Sequence, residues 1–231
     1  MGISPYLAGW IYALGIAWDA VTDPFMGYLA ERTSSPRGRY RPYIFFGTIP
    51  LALSFVLLFW VPPLEGLSLF LCLVVINVFH RTCFTIVSVP YSSLTPRITS
   101  DSEERTKLTT ARMIGASFGT LLMSSLGFPI ISFFGQNDES LGIIYLSFIA
   151  ASIAVVILYI TYGSVKESDT EEIKEAYPSL SNLILSILKN YPFWIVFSSI
   201  LILGSTTIMF NKNLIYYIKY ALDLHSYQGL V

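Results

Sequence analysis

The chain contains 231 residues and carries a formal net charge of −1. Hydrophobic residues make up 54% of the sequence and charged residues only 13%, whereas a soluble domain has about 25% charged residues. This composition excludes an ordinary soluble domain and predicts an integral membrane protein in contact with membrane lipid. The sequence has no basic tract, so we expect no nucleic acid among its partners.

Apolar stretches of about 20 residues predict six membrane-spanning helices. They cover residues 5–31, 42–62, 66–94, 108–134, 141–163 and 191–221. The expected fold class is therefore all-α, a polytopic transmembrane helical bundle of about six helices.

Positively charged residues are concentrated in three of the connections. The loop at 32–41 carries Arg32, Arg37, Arg39 and Arg41, the loop at 94–112 carries Arg97, Arg105, Lys107 and Arg112, and the segment at 164–190 carries Lys166, Lys174 and Lys189. By the positive-inside rule these three connections face the cytoplasm. We expect an integral, multi-pass protein of a plasma or inner membrane.

The long polar segment divides the chain into three predicted parts. They are a five-helix N-terminal bundle at 1–164, a cytoplasmic linker at 165–190 that ends in an amphipathic stretch, and the first helix of a second bundle at 191–231. Many transporters consist of two equivalent halves. We therefore expect a helix before this chain and most of a second half after it, which would be needed to complete a cavity.

Two carboxylates lie within the first apolar stretch. Asp19 and Asp23 are four residues apart, which places them on one face of a helix. A carboxylate near the middle of a membrane costs at least about 2.5 kcal/mol, so such residues usually face a cavity and bind something. Thr22 lies beside them, and Pro24 frees a backbone carbonyl. Oxygen ligands of these kinds suit a hard cation such as sodium.

The third predicted helix carries a polar stripe. Arg81, Thr85 and Ser88 recur at helical spacing, and His80 flanks them. An arginine inside a membrane needs a carboxylate partner. His80 is either a proton carrier or a polar anchor near the membrane interface.

The role of the two carboxylates has two interpretations at this point. In the first, Asp19 and Asp23 bind a coupling cation. In the second, they form an internal salt bridge with Arg81 or Arg112, and the arginine supplies the positive charge that a cation would bring.

Two further residues are candidates for substrate binding. Arg112 opens the fourth helix and could bind a hydroxyl or carboxylate with two hydrogen bonds, or it could extend to the membrane interface as an anchor. In the last helix Tyr217 shares a face with Asn213 and Tyr220. Such a face suits a sugar, and an interfacial aromatic belt explains it equally well.

An enzymatic function is not expected. Gly15, Asp19 and Asp23 resemble the second half of the metal-binding motif of the CDP-alcohol phosphotransferases, but the first half, D-x-x-D-G-x-x-A-R, is absent from this sequence. A two-metal site cannot be built without the missing carboxylates. An intramembrane aspartyl protease would need a second acidic motif on another helix, and none is present.

Two sequence blocks resemble one transporter family. The first is WDAVTDPFMGYLAERT followed by SSPRGRYRPY, and the second is VPYSSLTPRIT followed by DSEERTKL and Ala111-Arg112. In this order and at this spacing they resemble the glycoside-pentoside-hexuronide:cation symporters, which include melibiose permeases, of the major facilitator superfamily. The resemblance covers most of residues 10–120.

The resemblance implies a parent fold of twelve helices in two bundles, of which this chain corresponds to helices two to seven. It implies that Asp19 and Asp23 serve cation coupling and sugar recognition, that Thr85 joins the cation site, and that Arg112 contacts the sugar.

The sequence also departs from the melibiose-permease branch. Thr22 stands where that branch has an asparagine ligand, Ser88 and Ser92 stand where it has the aspartate and tryptophan that hold galactosides, and Arg81 stands where it has a small residue. The sodium-dependent lysophospholipid symporters are similar in the first block and also lack the galactoside residues.

The sequence therefore predicts a secondary transporter that couples a cation, Na⁺ or H⁺, to the symport of a sugar or glycoside across the membrane, with no other cofactor. The predicted cation ligands are Asp19, Asp23, Thr22 and Thr85, and the predicted substrate contacts are Asp19, Arg112, Ser88, Arg81 and Tyr217. The alternatives are a lysophospholipid-type or other small-solute carrier, or a transport-inactive membrane fragment.

A cytoplasmic latch is predicted from the charged loops. It would join Arg32, Arg37, Arg39 and Arg41 to the acidic run of Asp101, Glu103 and Glu104, followed by Arg105. Opposite charges at this position would hold the cytoplasmic side closed while the carrier is open to the outside.

Overall fold

The computed structural model describes residues 4–99, 101–136, 138–165, 167 and 180–220. Over these residues the chain forms seven α-helices. The helices belong to two compact units that divide between Thr170 and Glu171. The division falls within the segment that we predicted to be a linker.

Five helices form the first unit. They are α1 (Pro5–Arg32), α2 (Arg41–Leu58), α3 (Gly66–Ile98), α4 (Ser102–Gly135) and α5 (Glu139–Ser164). α3 packs against both α1 and α2, α2 also packs against α5, and α5 packs against α4. The residues of α1 and α3 are therefore placed to form a shared site.

The second unit contains α6 (Leu180–Lys189) and α7 (Tyr191–Tyr220). α6 coincides with the amphipathic end of the predicted linker. Residues 166 and 168–179 of that linker lie outside the described residues. The side chain of Tyr217 is also outside them, although its backbone belongs to α7.

Capping side chains set the starts of several helices. Ser4 accepts a hydrogen bond from the Leu7 N–H at the start of α1, and a proline follows it in the first turn. Asp101 accepts from the Glu103 N–H at 3.0 Å to begin α4. Asp138 accepts from the Ser140 N–H at 2.9 Å to begin α5. Each cap satisfies a backbone donor that the helix itself leaves free.

The all-α prediction is confirmed, and the helix bounds differ from the predicted spans at a few ends. α3 continues to Ile98 through Pro90 and Pro96, and α4 begins at Ser102, six residues before the predicted span at 108. The difference arises because hydropathy marks the apolar part of a helix, whereas capping residues mark where the helix begins.

Five of the described helices are long and apolar enough to cross a membrane. They are α2, α3, α4, α5 and residues Tyr191–Phe210 of α7. α1 has 28 residues but is not among these five, and it carries Asp19 and Asp23 in its middle. The predicted span over 5–31 therefore remains a prediction from its length and position.

The best-buried cluster lies where α1 ends and α2 begins. It contains Met26, Ala30, Tyr40, Ile44 and Leu94. The side chains come from α1, α2, α3 and the end of the 32–41 loop. This cluster holds one end of the helices together and leaves the polar residues of α1 and α3 further along the bundle.

Candidate functional site: paired polar contacts between two helices

The candidate site consists of two pairs of contacts between α1 and α3. An Arg81 N–H donates to Asp19 in an ion pair, and the Thr85 hydroxyl donates to Asp23 Oδ1 at 2.7 Å. Each helix supplies residues four positions apart, which a helix places on one face. The two pairs therefore lie one above the other, about one turn apart.

Arg81 is held by more than its carboxylate partner. Its Nε donates to Asn77 Oδ1 at 3.1 Å, and its guanidinium carbon lies 5.7 Å from the centre of the Tyr12 ring. A side chain at Gly15 would overlap both Arg81 Nε and Asn77 Oδ1. Glycine at this position thus allows the arginine to reach α1.

The site is shielded to different degrees on its two helices. The side chains of Arg81 and Asp19 are 20% and 28% exposed, and Thr85 is 3% exposed. Asp23 belongs to the exposed residues of α1. Carboxylate and hydroxyl oxygens are ligands that a hard monovalent cation accepts, so Asp23 and Thr85 offer a cation suitable oxygens at an open position.

Two of the other predicted ligands make contacts away from the carboxylates. The Thr22 hydroxyl donates to the Trp18 carbonyl on its own helix at 3.1 Å. Arg112 donates to Ser92 Oγ at 3.2 Å and lies 4.9 Å from the centre of the Tyr91 ring. Thr22 and Arg112 remain predicted ligands, as does the half-buried Ser88.

His80 lies on the face of α3 that meets α2. Its Nδ1 is 3.1 Å from the Ser54 hydroxyl, and Ser54 is fully buried. The rings of Phe55 and Phe84 lie 6.0 and 6.5 Å from the imidazole. The structure therefore places His80 in the packing between α2 and α3.

A second polar network joins the ends of α1 and α3 at the 32–41 loop. Glu31 accepts a hydrogen bond from Arg97 at 2.9 Å and one from the Tyr40 hydroxyl at 2.5 Å, and it lies 3.7 Å from Arg39. Burial raises the pKa of Tyr40 to about 12, and the hydrogen bond to Glu31 adds to this effect. Tyr40 therefore keeps its proton at physiological pH and acts as a hydrogen-bond donor to Glu31.

Glu167, just after α5, anchors the same loop. Its carboxylate accepts hydrogen bonds from the backbone N–H groups of Arg39, Tyr40 and Arg41, at 2.6, 2.9 and 2.9 Å. Gly38 has a φ of +101°, and a side chain there would lie 2.7 Å from a Glu167 carboxylate oxygen. A negative charge at the first turn of α2 also suits the helix dipole.

Other arginines and acids of the predicted latch contact groups outside the predicted pairing. Arg41 donates to the Tyr162 carbonyl at 2.7 Å and Arg32 lies over the Tyr28 ring, whereas Arg105 donates to the Thr99 carbonyl. Asp101 caps α4, Glu103 pairs with Lys107, and Glu104 accepts from Thr99. Among the described residues, Glu31 and Glu167 are acidic groups that contact the 32–41 loop, and we did not predict either contact.

In comparisons with known proteins, residues 1–228 of the chain match a family model described as MFS/sugar transport protein. The isoprimeverose transporter of Lactiplantibacillus pentosus is 29% identical over 198 residues, which cover 84% of this chain and 41% of that protein. The glucuronide carrier protein homolog of Escherichia coli is 27% identical over 224 residues, covering 96% and 48%.

A third relative is the sodium-dependent lysophosphatidylcholine symporter 1-A of Danio rerio. It is 39% identical over 132 residues, which cover 56% of this chain and 24% of that protein. The chain spans about half the length, or less, of the curated relatives that it matches.

Proposed function

Because the chain belongs to the MFS/sugar transport protein family, we propose that the full-length protein is a secondary transporter that couples a cation to the movement of a sugar or glycoside. Family membership and five apolar helices identify an integral, multi-pass membrane protein. The activity proposed here is transport rather than the chemical conversion of a substrate.

The observation that supports coupling is the pair of carboxylates on α1 that face polar partners on α3. Asp23 accepts a hydrogen bond from the nearly buried Thr85, and Asp19 pairs with Arg81. Ionisable groups within a membrane helix are costly unless a partner or a ligand compensates their charge. A cation that binds beside Asp23 would compensate it.

In the proposed cycle, a cation binds first and makes the site ready for the solute. Neutralising Asp23 favours the binding of a sugar whose hydroxyls interact with Asp19 and Arg112. The two halves of the full-length protein then move around this site, as they do in other two-bundle carriers. The polar network around Glu31 would close one end of the path, and the predicted latch to Asp101 and Glu104 would form in the other state.

Transport in proteoliposomes tests this function. The full-length protein would be reconstituted and supplied with an inward sodium gradient or an inward proton gradient. The labelled solutes would be isoprimeverose, a methyl glycoside and a glucuronide. We expect one gradient to drive accumulation, and we expect Asp19→Asn and Asp23→Asn to abolish it. Accumulation at the wild-type level in both variants would reject the proposal.

A second candidate substrate is a lysophospholipid, because one relative at 39% identity is named as a lysophosphatidylcholine symporter. The same proteoliposomes can measure the sodium-dependent movement of a fluorescent lysophosphatidylcholine between the two leaflets. Movement of this lipid without accumulation of any sugar would favour the second candidate.

A further inference from the structure

The arginine on α3 pairs with only one of the two carboxylates. Arg81 forms its ion pair with Asp19, whereas Asp23 receives a hydrogen bond from the neutral Thr85. Over the part of the chain that the structure describes, no lysine or arginine forms an ion pair with Asp23. The sequence spacing does not distinguish the two carboxylates. The structure does, because Asp19 has a charged partner and Asp23 has a neutral one.

Arg81 is fixed at the level of Asp19. Asn77 lies one turn before Arg81 on α3 and accepts a hydrogen bond from its Nε. The guanidinium is therefore directed to Asp19 rather than to Asp23. Gly15 leaves the space that this arrangement occupies. The side chain is only 20% exposed, which distinguishes it from an arginine that extends to the membrane surface.

We propose that Arg81, positioned by Asn77, is a built-in counter-ion for Asp19, an inference that rests on the cation coupling proposed above. The ion pair removes Asp19 from ion binding. Asp23, with Thr85, is then left to bind a single coupling cation. Two free carboxylates would present two negative charges to an entering ion. With Arg81 in place, the two carboxylates, the arginine and the neutral Thr85 together carry one net negative charge. This charge matches one monovalent cation. The positive charge of Arg81 also weakens the attraction of any second cation.

Sodium-dependent protection of the full-length protein against thermal unfolding tests this assignment. Binding to the folded state raises its stability by mass action, so the sodium concentration at half-maximal protection reports affinity without any solute. We expect Asp23→Asn to lose the protection. We expect Asp19→Asn to weaken it, because Arg81 then has no carboxylate partner and its charge opposes that of the entering ion. We expect Arg81→Gln to gain sodium affinity by at least about tenfold, because Asp19 then becomes available.

Three further variants separate this role from a general effect on folding. Lys107→Gln removes a positive charge from an exposed i, i+4 pair on α4 and should leave the sodium midpoint unchanged. Adding Asp19→Asn to Arg81→Gln should return the midpoint to near the wild-type value. Asn77→Ala should shift the midpoint in the same direction as Arg81→Gln, and only while Asp19 is present.

The outcomes distinguish this inference from the proposed function. Loss of protection in the double variant that combines Asp19→Asn with Arg81→Gln, or an unchanged midpoint in Arg81→Gln, overturns the inference while cation binding stands. If Asp19→Asn does not fold, the Arg81→Gln and Asn77→Ala midpoints still decide the matter. The absence of a sodium response in the wild type and in every variant would reject both the inference and sodium coupling.

Discussion

Tyr40 is a single residue whose protonation the fold controls. Its side chain is 3% exposed, and its hydroxyl donates to Glu31 at 2.5 Å. Burial first, and then this hydrogen bond, raise its pKa from the ordinary 10.0 to about 12. A group whose pKa is higher in the folded state stabilises the fold fully below its unfolded pKa, and this contribution is lost as the pH rises through the folded pKa.

We therefore expect Tyr40→Phe to destabilise the protein in a pH-dependent way. At pH 8 the free energy of unfolding should fall by about 1.5 to 3 kcal/mol, the range for a hydrogen bond to a charged group. The difference from wild type should shrink as the pH rises between 10.0 and about 12. Denaturant unfolding of the full-length protein in detergent at several pH values measures this difference.

Tyr6→Phe is the control for this experiment, since Tyr6 is 72% exposed. It should not change the free energy of unfolding at either end of the pH range. A Tyr40→Phe effect that stays constant across the range would contradict the assignment of the hydroxyl as a protonated donor to Glu31.

The sequence allowed us to identify Asp19, Asp23, Arg81 and Thr85 as candidates because charges and hydroxyls stand out within apolar stretches. It did not identify Asn77, because a single uncharged amide in a membrane helix does not stand out as a charge does. The role of Asn77 exists only once α3 faces α1 and Arg81 needs a direction. The signal was present in the four-residue spacing of Asn77, Arg81 and Thr85.

The partners of the 32–41 loop were missed for a different reason. We considered which acidic side chains could pair with its arginine side chains. The structure instead uses backbone N–H groups as the donors to Glu167. Every residue except proline has such a group, so a sequence pattern does not indicate which of them a distant carboxylate will contact.

At the scale of helices, α4 and α5 approach each other through two glycines. A side chain at Gly142 would overlap the Ile131 carbonyl and lie 2.9 Å from Ile131 Cγ2. A side chain at Gly135 would lie 3.2 Å from the backbone of Gly142. Small residues are what allow membrane helices to pack closely, because lipid provides no hydrophobic driving force between them.

We expect Gly142→Ala to destabilise the protein by about 1 to 3 kcal/mol, the usual cost of overpacking, because the carbonyl of Ile131 belongs to the backbone and cannot rotate away. Thermal unfolding of the full-length protein in detergent measures the effect. Gly163→Ala is a matched control on the same helix, where an added methyl group has open space. An equal effect of the two substitutions would show that helix propensity, rather than the contact with α4, is responsible.

At the scale of the whole molecule, the family and the all-α class followed from composition and from two sequence blocks. The sequence did not show which helices of the first unit pack against each other. In the structure α3 packs against both α1 and α2. Hydropathy gives the number of helices and their order along the chain. Which faces meet is decided by close approaches such as that of Gly15 to Arg81.

The orientation of the helices in the membrane is the last prediction. The positive-inside rule places the 32–41 loop in the cytoplasm and the connection at 59–65 on the opposite side. We expect Glu65→Cys to react with a membrane-impermeant maleimide in intact cells. We expect Ser34→Cys to react only after the cells are made permeable. Both positions are exposed, so differences in reaction report sidedness rather than burial.

The labelling uses the full-length protein in a background that lacks other cysteines, with Cys72 and Cys83 replaced. Four arginines in the 32–41 loop carry the expectation, because translocating each positive charge across the membrane is unfavourable. Reaction of Ser34→Cys in intact cells would show that the orientation is the opposite of the predicted one. The network around Glu31 and Glu167 would then lie on the outer side of the membrane.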